Sequence, residues 1–196
     1  MDQKGNNANS AYWRTRTFTY DSLSRLLCAS NPENSTAACP ATATSSYTAG
    51  TTGYTYDVNG NLLTKISPAP NQTGSATVTV NYSYDALNRI TGKGFSDSTP
   101  GLYFYSDVAP GWMTDLTNVV GRLANMNNSH GGSTDGFATA ATFSYDAMGR
   151  VIRNWQQTPS TSPGGSFVYQ SYDLAGNLTS ISNGSGLALL YLRFRR

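Results

Sequence analysis

Apolar and polar positions alternate along most of this chain in short runs of period two, and each run stops at a turn signal. The clearest run is Ala76-Thr-Val-Thr-Val-Asn-Tyr-Ser-Tyr84, which in an extended strand puts Val78, Val80, Tyr82 and Tyr84 on one face. A second alternating run begins just after each turn, as in Leu62-x-Thr64-x-Ile66. Stretches rich in Pro, Gly, Asn and Ser, such as 67–75 and 158–165, separate these pairs of runs and read as loops of variable length. No segment holds the 3.6-residue period of an amphipathic helix over three turns. The pattern predicts an all-β chain built from antiparallel β-hairpins.

The hairpins repeat one phrase. Phe18-Thr-Tyr-Asp-Ser-Leu-Ser-Arg-Leu, Tyr54-Thr-Tyr-Asp-Val-Asn-Gly-Asn-Leu, Tyr82-Ser-Tyr-Asp-Ala-Leu-Asn-Arg-Ile and Phe143-Ser-Tyr-Asp-Ala-Met-Gly-Arg-Val share it, and Ser171-Tyr-Asp-Leu-Ala-Gly-Asn-Leu is a fifth copy. Tyr103-Phe-Tyr-Ser-Asp107 and Gly121-Arg-Leu123 look like two halves of another, split by an insertion, which makes six units. Within a unit the Asp begins a type I turn, because its carboxylate accepts local backbone N–H bonds. Gly three residues later supplies the positive φ that closes a hairpin with a bulge. Asn88 replaces that Gly in one copy, and Asn visits the left-handed region more readily than most residues. Ser24 in the first copy is the poorest match.

Composition narrows the function. The 196 residues carry 13 basic and 11 acidic side chains, a formal charge of +2, and Ser, Thr, Asn and Gly fill 83 positions. So small a charge, with no basic run before the last four residues, argues against binding nucleic acid through phosphate neutralisation. The 23 aromatic residues, 13 of them Tyr, argue against a disordered tail. No apolar stretch is long enough for a transmembrane helix, and residues 1–10 lack the apolar core of a secretory signal. Cys28 and Cys39 leave two readings open, a loop-closing disulfide in an oxidising compartment or two separate thiols. With a single His they cannot assemble an ordinary four-ligand zinc site, and no metal or other cofactor is expected.

The phrase Tyr-x-Tyr-Asp-x-x-Gly-Arg-Leu is similar to the YD repeat of the Rhs family, which also includes shell proteins of bacterial toxin complexes and the teneurins. The resemblance covers roughly residues 12–186. It implies hairpins joined edge to edge in a curved sheet, part of a spiral shell. Bacterial members enclose a toxic C-terminal domain in that shell, and teneurins present theirs for adhesion. The expected organisation is a polar extension over 1–11, about six repeats over 12–186, and an aberrant tail over 187–196. The chain contains no Asp-Pro of the kind that marks the family's self-cleaving core, and it is expected to be a fragment. The implied function is a non-enzymatic piece of shell wall, secreted or at the cell surface in the full-length protein. Its partners would be other YD repeats of that shell and the enclosed toxin, with no nucleic acid and no membrane span. The alternative is a cell-surface adhesion or carbohydrate-binding module.

The residues that carry the repeat are Tyr20, Asp21, Tyr56, Asp57, Gly60, Tyr84, Asp85, Asn88, Arg89, Gly121, Arg122, Tyr145, Asp146, Gly149, Arg150, Tyr172, Asp173 and Gly176. Each Asp is expected to shape its turn, because one carboxylate per turn is too few for the six to eight oxygens of a calcium site. The tyrosines are expected to pack between neighbouring hairpins with each hydroxyl near a polar partner, in preference to forming a sugar-binding ladder. Arg25, Arg89, Arg122 and Arg150 occupy one slot after the turn and are expected to bond turn carbonyls or a neighbouring Asp. Asn61 and Asn177 interrupt that row, which weakens a phosphate-binding reading. His130, near Ser129 and Ser133, lies in a polar loop where adjacency in sequence is not the geometry of a catalytic triad.

Overall fold

The computed structural model describes residues 2–3, 14–33, 37–41, 49–69, 76–128, 139–158, 164–184 and 188–191. Two short strands, β1 (Asp2–Gln3) and β2 (Arg14–Thr15), pair antiparallel. The described residues fall into two compact units, Met1–Thr99, which includes this pair, and Pro100–Arg196.

The first unit contains β3 (Phe18–Tyr20), β4 (Leu26–Ser30), β5 (Thr51–Tyr56), β6 (Leu62–Pro68), β7 (Thr77–Tyr84) and β8 (Ile90–Phe95). Each strand pairs antiparallel with the next in chain order. The second unit repeats the plan with β9 (Leu102–Ser106), β10 (Leu123–Asn127), β11 (Ala140–Tyr145), β12 (Val151–Gln157), β13 (Ser166–Tyr172), β14 (Leu178–Ser182) and β15 (Ala188–Tyr191). Here too every strand pairs antiparallel with its successor. Among the described residues the six repeats are six hairpins, β3–β4 through β13–β14, and there is no helix.

The turns explain why the phrase makes hairpins. In the second repeat the N–H of Gly60 donates to the carbonyl of Asp57, and the N–H of Asp57 donates to the carbonyl of Asn61. The first bond closes a type I turn; the second begins the ladder after a residue at positive φ. That residue is Gly60 at +87°, Ser24 at 62° and Asn88 at 59° in the first three copies. Ser24 therefore takes the left-handed conformation that its side chain disfavours. A register shift accompanies each tight turn, between Thr19 and Tyr20, Thr55 and Tyr56, Ser83 and Tyr84, Ser144 and Tyr145, and Ser171 and Tyr172.

The fourth repeat departs from this plan. Val108 to Val120 replaces its tight turn, and the N–H of Asp107 reaches the carbonyl of Arg122 to close it. Ser106 pairs with Leu123, where other copies pair Tyr with an aliphatic residue. The insertion lies over the following hairpin. Trp112 meets the buried Trp155 with ring centroids 5.0 Å apart, and Arg153 holds Asp115 at 2.6 Å. The N–H of Tyr145 donates to the carbonyl of Thr117, and Thr117 Oγ1 donates back to the carbonyl of Tyr145.

A second cover protects the first hairpin. Cys28 and Cys39 form a disulfide, S–S 2.07 Å, which ties residues 37–41 to β4. The N–H of Cys39 donates to Thr17 Oγ1, and the Thr19 hydroxyl donates to the carbonyl of Pro40. Thr19, Cys28, Ser30 and Thr51 are buried on that face.

Candidate functional site

What recurs through both units is a joint between consecutive hairpins, and the repeat residues build it. Each turn Asp uses both oxygens. Asp21 Oδ1 accepts from the backbone N–H of Leu23 and Arg25 at 2.9 and 2.8 Å, and Oδ2 accepts from Arg25 Nε at 2.7 Å. Asp85 treats Leu87 and Arg89 alike, and Asp146 treats Met148 and Arg150 alike. Asp57 and Asp173 accept from the side-chain amides of Asn61 and Asn177 at 2.8 and 2.9 Å. Carboxylates accepting three such bonds are favoured in the charged form.

These bonds hold the carboxyls of all five below the ordinary Asp range. For Asp21 and Asp85 the backbone N–H of the following Arg is the largest cause, and for Asp57 and Asp173 it is the Asn amide. At Asp146 desolvation pushes upward, but the N–H and guanidinium of Arg150 outweigh it. The carboxylates are thus saturated within their own turns. Among the described residues, no group of three His, Cys, Asp or Glu is placed to hold a metal ion.

The next layer joins one hairpin to another. Tyr56 donates its hydroxyl to the carbonyl of Leu26 at 2.9 Å, and Tyr84 donates to that of Leu62 at 3.0 Å. In the second unit Tyr145 donates to Leu123 at 2.8 Å. The Tyr172 hydroxyl lies 2.9 Å from the carbonyl of Val151 and 2.8 Å from Gln170 Oε1, so one proton serves two acceptors. In every case the backbone acceptor is the first residue of the second strand of the preceding hairpin. Burial pushes the phenols of Tyr56, Tyr84 and Tyr145 above their ordinary value, as expected for rings packed into a seam.

The Arg slot strengthens three of these seams. Arg25, Arg122 and Arg150 place their guanidinium carbons 5.0, 5.5 and 4.8 Å from the ring centroids of Tyr56, Tyr145 and Tyr172. Arg25 and Arg150 also donate to the carbonyls of Asp57 and Asp173 in the following turns, at 3.0 and 2.9 Å. Gly149, at φ +86°, lets Arg122 lie flat, because a Cβ there would stand 2.8 Å from the guanidinium. Where Asn61 fills the slot, its amide reaches Asn88 Oδ1 in the next turn at 2.7 Å. One guanidinium thus bonds its own turn, the next turn and the next ring, a combination possible because it is a planar fork with several donors.

The sequence placed Asp, Tyr and Arg in these roles singly; it did not show that they form one continuous joint. Tyr20 belongs to the first hairpin, is more than half exposed, and makes no hydroxyl hydrogen bond among the described residues. Gly121 and Arg122 sit at the end of the insertion, with Gly121 N–H bonded to Asp107 Oδ1 at 2.6 Å. Gly176 lies in the last tight turn at φ +89°. His130, Ser129 and Ser133 lie outside the described residues. Sequence reasoning missed Lys65, Lys93, Tyr54 and Tyr82 as a group, because they come together only through strand register.

No protein-family model matches the chain, and no curated protein matches it. Solved structures do. The crystal structure of TcdB2-TccC3 without its hypervariable C-terminal region aligns with 83% of this chain at 13% identity and a TM-score of 0.54. That of TcdB2-TccC3 aligns with 87% at 11% identity and a TM-score of 0.49. This chain spans only 8% and 10% of the lengths of those two chains. The first likeness shows that the chain shares the all-β fold of a short stretch of TcdB2-TccC3.

Proposed function

We propose that the chain is a non-enzymatic stretch of wall from an Rhs-type shell, whose complete form encloses a toxin domain and helps deliver it in bacterial competition. The observation that carries this reading is the joint: Tyr hydroxyls bond the preceding hairpin's backbone at four places, in two units, with one geometry. Such a joint serves to add hairpin to hairpin indefinitely, which is what a wall needs and a catalytic pocket does not. Its polar side chains are consumed in holding neighbours together, so the product of the chemistry is a barrier. Enclosure then works by keeping cargo from solvent and proteases.

The fold shared with part of the much longer TcdB2-TccC3 chain supports the same reading. The partners would be further YD repeats of the full-length protein and its enclosed domain. The full-length protein would act outside the producing cell or at its surface. Sequencing the source DNA beyond the codons for Met1 and Arg196, in all three frames, tests this. Tyr-Asp repeats that resume on either side, followed by a variable domain, are the expected result. Genuine start and stop signals with no repeats beyond them would overturn it.

A further inference from the structure

We propose that the second unit holds a binding site for an uncharged aromatic ligand with an amide or lactam edge, set among Phe104, Met126 and Gln156. Phe104, Met126, Ala141 and Gln156 are successive register partners across β9, β10, β11 and β12, so they stand in one row on one face. In that row Ala141 offers only a methyl between two long side chains, and the four residues line an open cavity of about 440 Å³. Leu102, Asn128 and Thr139 also line it. The size falls within the about 300–1,000 Å³ of pockets that bury small-molecule ligands. None of the seam residues lines the cavity, and the inference holds or fails without the wall reading.

The opposite face of the same strands is already occupied. Asn125, Thr142 and Trp155 form a register row there, and the insertion lies on it. Trp112 packs against Trp155, and the Thr142 hydroxyl donates to the Met113 sulfur at 2.9 Å. On the cavity face Leu102 and Met126 stay more than a third exposed, whereas Ala141 beside them is buried. The apolar surface on that side is therefore a recess that a small molecule can reach.

The lining selects the ligand. It contains no charged side chain, so an ion entering it would shed water and find nothing to pair with. Phe104 supplies a ring face, and Met126 supplies a flexible, polarisable thioether that adapts to an aromatic edge. Two amides give direction. Asn128 Oδ1 accepts from the N–H of Thr139 at 2.8 Å, which leaves its Nδ2 to donate. Gln156 makes no hydrogen bond among the described residues and offers a donor and an acceptor side by side. That pair matches the adjacent N–H and C=O of a lactam.

Fluorescence titration of acridone, a neutral tricyclic lactam, with the full chain tests the proposal. Anthracene, which lacks the lactam, and 9-anthroate, which carries a negative charge, are the controls. The expected result is saturable acridone binding that is indifferent to added salt and about tenfold or more tighter than that of either control. Gln156→Ala should weaken it about fivefold, the worth of one neutral hydrogen bond. Met126→Trp, at a side chain already more than a third exposed, should fill the recess and abolish binding with the far-ultraviolet circular dichroism unchanged. Failure to bind acridone overturns the proposal, and so does equal or tighter binding of anthracene or 9-anthroate. Unchanged binding by Gln156→Ala or by the folded Met126→Trp variant does the same.

Discussion

Replacing tyrosine by phenylalanine at the seams isolates the hydroxyl, because ring packing and the Arg stacks at Tyr56, Tyr145 and Tyr172 survive. A neutral intramolecular hydrogen bond is worth about 1 kcal/mol net. Tyr145→Phe, which loses the 2.8 Å bond to Leu123, should cost about that much. Tyr172→Phe should cost less, because its proton is already divided between Val151 and Gln170. Within each unit the two seams lie two strands apart, roughly 10 Å, far enough for their effects to add. The quadruple variant should therefore lose about 3–4 kcal/mol, a large share of the about 5–15 kcal/mol that a folded domain possesses. Tyr20→Phe is the internal control: its hydroxyl bonds nothing among the described residues, and the change should stay within about 0.5 kcal/mol. Urea unfolding followed by circular dichroism reads these differences, each kcal/mol moving the midpoint by roughly 0.3–1 M. Equal losses from Tyr20→Phe and Tyr145→Phe would refute the seam argument, as would a quadruple variant as stable as the parent.

Three further outcomes follow from the covers and the turns. Reduction of Cys28–Cys39, or its replacement by serines, should cost about 2–3 kcal/mol by freeing the short loop it closes; thiol titration of the untreated protein should find no free cysteine. Trp112→Ala should red-shift tryptophan emission by wetting Trp155 and cost about 1 kcal/mol for the lost ring pair. The turn carboxylates have lowered folded pKa values, so their contribution is whole above the unfolded value of about 3.9 and disappears as pH falls through the folded ones. Urea midpoints should accordingly drop as pH falls below about 4, and Asp57→Asn should make that drop shallower.

The hairpins were legible because their determinants are local. Asp, the turn and the left-handed residue lie within five positions, and even the poor match at Ser24 adopts the conformation its place demands. The insertion before Gly121 was legible as a split phrase, yet the displacement of Tyr105 by Ser106 was not, since only strand pairing reveals which residue faces Leu123. The cysteine pair stayed undecided in sequence because Cys39 is placed by Thr17, a contact set by folding across the hairpin. The stacking of Arg150 on Tyr172, and of Trp112 on Trp155, depends likewise on distances between strands. Lys65 and Lys93 looked unrelated to any ring in the chain; register alone puts Lys65 opposite Tyr54 and Lys93 opposite Tyr82.

The direction of the tyrosine bonds gives the fold a polarity in time. Each hydroxyl reaches back to a carbonyl 21 to 30 residues earlier in the chain and never forward. During synthesis the acceptor emerges from the ribosome before its donor does, so every new hairpin meets an edge already outside. Contacts this short in sequence close small loops and favour rapid growth from the N-terminal side. A chain stalled midway would thus hold completed seams behind it and leave the newest edge waiting for the next tyrosine.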